Sequence, residues 1–144
     1  MKEEGFTLLE MLLVLGVISI LSVITYFNLY PLYEKKKAEQ FVEQFSQDVL
    51  LMQQFAISHR NYYTLRWFPH QSMYSISATG GSKPVFQRYY DEAIEVDLYT
   101  FPNPMTYSST GNINRGGTII ITYKSLTYRI VFQLGRGRFT YYEM

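Results

Sequence analysis

Between Glu4 and Glu34 the chain carries one formally charged residue, Glu10. The rest of that run is apolar or small, and it exceeds the roughly 20 residues a helix needs to cross a bilayer. A carboxylate buried in hydrocarbon costs on the order of 3 kcal/mol. An acid retained near the start of such a run is therefore a functional residue by default, and its partner has to be sought.

The residues around it, Gly5-Phe6-Thr7-Leu8-Leu9-Glu10-Met11-Leu12, resemble the class III signal of type IV pilins and pseudopilins. The resemblance implies cleavage between Gly5 and Phe6 by the prepilin peptidase, a membrane aspartic peptidase, which then N-methylates Phe6. It also implies that Glu10 neutralises the terminal amine of a neighbouring subunit during filament assembly. The residue types suit that chemistry. Gly5 leaves the scissile bond unhindered, and cleavage would place a cationic amine on Phe6, one helical turn from Glu10. A partner cation lowers the cost of a carboxylate in lipid, and a helix N-terminus favours an acid as well. The plain alternative is a membrane anchor with a stray acid near its interface.

From Phe6 to about Ala56 the pattern predicts one helix, roughly 75 Å long at 1.5 Å per residue. Its first part is apolar on all sides, as lipid or a helical bundle requires. Gly16, Ser19 and Ser22 are small positions where neighbouring helices approach. Pro31 removes a backbone hydrogen bond, so a bend or local melting is expected just before it. Past Pro31 the pattern becomes amphipathic. Ala38, Phe41, Val42, Phe45, Val49, Met52 and Ala56 recur at three- and four-residue spacing, a stripe expected to pack on a sheet. Lys35, Lys36 and Lys37 form a solvated collar beyond the membrane, with lipid phosphates as the alternative contact.

Orientation sets two signals against each other. The lysine collar favours the cytoplasm, and a leader containing Glu3 and Glu4 is poorly basic. The pilin signal implies the opposite, because the peptidase works on the cytoplasmic face. The cleavage motif decides for an N-terminus inside: a single-pass membrane protein, found in the pilus at the cell surface after assembly.

Beyond Ser58 short alternating runs are separated by turn residues. Strands are expected at 62–68, 73–77, 85–90, 93–98, 118–123, 127–134 and 138–142, with 100–114 irregular. Residues 1–5 thus form a leader, 6–33 a transmembrane assembly helix, 34–58 its amphipathic continuation, and 59–144 a β-rich globular domain. The fold class is α+β: a long N-terminal helix, half of it transmembrane, packed on a small antiparallel β-sheet, as in pilins. Gly111, Gly116-Gly117-Thr118-Ile119-Ile120 and Gly135-Arg136 resemble the distal part of H-type minor pseudopilins. The short chain, with its ending Gln133-Leu134-Gly135-Arg136-Gly137-Arg138-Phe139, resembles most the D-type minor pseudopilins of Gram-positive competence systems, whose pseudopili serve DNA uptake.

Chemistry beyond assembly finds little footing. With no cysteine, disulfides and thiolate zinc sites are ruled out. His59 and His70 lack the spacing of a catalytic triad, and no cofactor or enzymatic activity is expected. Asp91, Glu92, Glu95 and Asp97 lack EF-hand spacing and read as a solvated turn, not a metal site. Arg115, Lys124, Arg129, Arg136 and Arg138, interspersed with tyrosines, are the residue types that hold single strands. Alternation along strands would divide them between two faces, so direct DNA contact is the lesser expectation and solubilising charge the greater.

The function expected is a minor pseudopilin of a competence type IV pilus required for DNA binding and uptake during transformation. Its implied partners are other major and minor pseudopilins, the prepilin peptidase, the membrane and, indirectly, the platform protein and assembly ATPase. The alternatives are a pseudopilin of a protein-secretion system and a membrane-tethered binding domain that never polymerises.

Overall fold

The computed structural model describes residues 7–144; Gly5 and Phe6, the expected cleavage site, lie outside the described residues. Helix α1 (Leu8–Ser58) is followed by strands β1 (Tyr63–Phe68), β2 (Met73–Ala78), β3 (Phe86–Tyr89), β4 (Ile94–Asp97), β5 (Met105–Tyr107), β6 (Gly117–Tyr123), β7 (Leu126–Phe132) and β8 (Phe139–Glu143). The helix continues unbroken through Pro31, which corrects the expected local melting. One missing donor in a 51-residue helix leaves long hydrogen-bonded runs on either side. Its C-terminus is a Schellman arrangement, with the Asn61 N–H donating to the Ala56 carbonyl and the Arg60 N–H to that of Ile57. Arg60 takes the left-handed conformation usually given to glycine.

The single small sheet expected is two four-stranded sheets: β3-β2-β1-β5 and β4-β6-β7-β8. Both are antiparallel throughout. Strands β3 and β4, consecutive in the chain, part company because Asp91 Oδ1 accepts the Ala93 N–H in a tight turn that leads the chain out of the first sheet. The segment expected to be irregular contains β5, too short between Pro104 and Ser108 to show an alternating pattern. Ile113 bridges Tyr107 on one side and Gly135 on the other, stitching the edge of the first sheet to the second.

The stripe on residues 38–56 is buried as its spacing predicts, with Val42, Phe45, Val49, Met52 and Ala56 fully enclosed and Phe41 half-buried. It meets the inward residues of both sheets. Phe45 is the common point, 4.9 Å from the Trp67 ring, 5.4 Å from Tyr74 and 6.3 Å from Phe132. Aromatic rings thus supply much of the core, as a chain rich in tyrosine and phenylalanine must arrange.

Three polar side chains fix this packing. Asp48, 2% exposed, accepts the Tyr74 hydroxyl at 2.7 Å and a forked pair of bonds from Arg88 at 2.9 and 3.3 Å. It ties the helix to β2 and to the edge strand β3. Burial, then the bond to Asp48, pushes the Tyr74 hydroxyl far above its usual range, and Asp48 in turn raises the Arg88 guanidinium. Gln53 Nε2 donates to the carbonyls of Gly111 at 2.8 Å and Arg136 at 2.6 Å. Asn103 pairs with both backbone groups of Trp67, each at 3.0 Å, continuing the ladder past the end of β5.

Candidate assembly site

Residues 8–33 present apolar side chains on every side of the helix, and every one of these residues is exposed. Leu8, Phe27 and Tyr33 are 81%, 71% and 66% accessible. This is the one helix among the described residues long and apolar enough to span a membrane. Left in water, its surface would be strongly unfavourable at about 25 cal/mol per Å2, so lipid or neighbouring helices must cover it. Ser19, Ser22 and Thr25 return their hydroxyls to the carbonyls of Leu15, Ile18 and Leu21, each at 2.8 Å. Their polarity is thereby satisfied within the helix, and open space surrounds the Cβ position of Gly16.

At the start of this helix the structure shows a feature the sequence reading missed. The Glu10 N–H donates to Thr7 Oγ1 at 3.3 Å, while Met11 makes the first helical bond to the Thr7 carbonyl. Thr7 is the N-cap and Glu10 the third helical residue, the Thr-x-x-Glu spacing of a capping box. That spacing was legible. Glu10 therefore stands in the first turn, where the helix dipole favours an acid, exposed to whatever adjoins it.

The five cations considered for DNA contact are not brought together. Lys124 sits in the β6–β7 turn, with Nζ 5.6 Å from the centre of the Tyr123 ring. Arg115, Arg136 and Arg138 lie at the opposite end of that sheet, where Gly117 pairs with Phe132 and Ile113 with Gly135. The length of β6, about 20 Å at 3.3 Å per residue, separates the two groups. Arg129 is in mid-strand on the outward face, in a row with Asp97, Ile120 and Tyr142. Asp97 Oδ1 accepts the Tyr99 N–H, so this acid and Asp91 both shape turns. His59 hydrogen-bonds the Tyr63 hydroxyl at 2.9 Å, just past the helix end.

A long apolar helix, able to anchor the chain in a membrane, whose amphipathic continuation packs on antiparallel sheets defines a type IV pilin-like protein. Solved structures of that class share the fold. The minor pseudopilin EpsH from the type 2 secretion system of Vibrio cholerae matches with a TM-score of 0.61 at 19% identity, over 74% of this chain and 96% of its own. The type IV minor pilin FimU of Pseudomonas aeruginosa (strain PAO1) matches with 0.60 at 13% identity, over 74% and 89%. Residues 1–26 match the prokaryotic N-terminal methylation motif. The chain is 33% identical over 137 residues to the competence protein ComGD of Bacillus subtilis (strain 168), covering 95% of this chain and 92% of that one. It belongs to the ComGD family.

Proposed function

We propose that this protein is a subunit of a competence pilus and is required for DNA uptake during transformation. The observation that carries the reading is the likeness to a competence protein along nearly the whole chain, joined to an uncovered apolar helix opening on Glu10. Processing releases residues 1–5 and leaves a methylated amine on Phe6. Before assembly the helix spans the membrane with its N-terminus inside; afterwards it lies in the filament, with the sheets at the cell surface. Glu10 offsets the Phe6 amine of an adjoining subunit, which sets the axial register between helices. The role is structural, and filament movement is driven by a separate cytoplasmic ATPase acting through the platform protein.

Direct DNA contact by this subunit is a separate matter. Arg115, Arg136 and Arg138 share one end of a sheet, which makes them the group to examine; Lys124 and Arg129 stand apart from it. An in-frame deletion in a naturally transformable host tests the main reading. Transformants should be lost and restored by the intact gene, with exported proteins unchanged. A deletion strain that transforms at the parental frequency would overturn it, and one that instead loses exported proteins would favour the secretion alternative, whose fold likeness is EpsH.

A further inference from the structure

The outward face of β1, β2 and β3 carries a cavity of about 550 Å3, formed wholly by residues 64–89. Its floor is ordered in rows. Gln87, Ser75 and Arg66 stand opposite one another across the three strands. Tyr89, Met73 and Phe68 form the next row, about 7 Å away at two residues along a strand. Ser75 is 8% exposed. Among the described residues neither its hydroxyl nor the side chains of Arg66 and Gln87 have a hydrogen-bond or ion-pair partner. A hydroxyl, an amide and a guanidinium in one row, none of them so engaged and all of them lining one cavity, are free to take a ligand.

The lining specifies the chemistry. A row of hydrogen-bonding groups lies beside an apolar row that ends in Tyr89, 72% exposed. Such a surface matches a molecule with hydroxyls along one edge and a C–H face beside them, which stacks on an aromatic ring. Arg66 is the one charged side chain lining the cavity, so the ligand carries negative charge, but sparsely. A nucleic-acid strand has a phosphate at every nucleotide and is held by several cations along its path; amides and hydroxyls with a single arginine do not provide that. We propose that this face binds a glycan chain bearing occasional carboxylate or phosphate groups, with Arg66 on the anion, Gln87 and Ser75 on hydroxyls, and Tyr89 under a sugar ring.

The test uses the full chain in detergent micelles, co-sedimented with purified Bacillus subtilis cell walls. The protein should sediment with the walls, and Arg66→Ala with Gln87→Ala should weaken apparent affinity at least tenfold while leaving the melting temperature unchanged. Walls stripped of phosphate-linked polymers separate the two anion sources: retained binding assigns the carboxylate, lost binding the phosphate. Wild-type protein that stays in the supernatant, a double variant that sediments like wild type, or complete displacement by a single-stranded 12-mer would each overturn the proposal.

Discussion

Two stretches of the same helix meet opposite demands. Residues 8–33 are apolar all round and wholly exposed, whereas residues 38–56 are apolar along one stripe and that stripe is buried. The difference teaches that apolar content alone does not say where a helix finds its partners. The periodic half finds them in its own sheets. The uniform half finds none among the described residues, and a membrane or other subunits must supply them. Stability should therefore be divisible, with lesions in the second half unfolding the sheets and lesions in the first half leaving them intact.

Alkali should separate the regions most completely. Burial pushes the Tyr90 hydroxyl up to about 12 and carries those of Tyr74 and Tyr107 higher still, against an ordinary value near 10. Folded-state values above the unfolded one mean that this stability is whole below pH 10 and is lost as pH climbs through 12 and beyond. Melting of the sheets followed by near-UV circular dichroism should hold steady to pH 10 and then collapse, while micelle-bound helix persists. Phe45→Ala comes next, with an expected loss of about 3–5 kcal/mol in denaturant melts; Leu15→Ala, in the exposed half, should leave the same transition unmoved. Asp48→Ala leaves the Tyr74 hydroxyl buried without its acceptor, for about 2–3 kcal/mol. Smallest is Thr7→Ala, where loss of the N-cap should cost about 1 kcal/mol and appear as amide-exchange fraying confined to the first turn.

What the residues disclosed in advance follows the same division. The helix, its amphipathic stripe and most of the strands are local, so spacing and turn chemistry reveal them. The pairings β1–β5 and β4–β6 join distant segments, and no periodicity announces them; a single sheet was the natural expectation. Asp48 was hidden among apolar neighbours on the buried face, its meaning dependent on Arg88 forty residues away. Gln53 and Asn103 act on backbone groups, which leave no mark on residue type. At the candidate site, Glu10 was conspicuous as a charge, and its capping partner Thr7 was legible but passed over.

The charge on Glu10 gives the sharpest experiment. Glutamine can fill the third position of a capping box but carries no charge to set against an amine. The measurement is the fraction of Glu10→Gln protein recovered in sheared, purified pili relative to membranes, in a host that cleaves the leader normally. A carboxylate needed for its charge predicts a stable, processed variant confined to membranes, with transformation lost. Incorporation into pili at the wild-type fraction would contradict that, and would leave Glu10 as no more than an acid in the first helical turn.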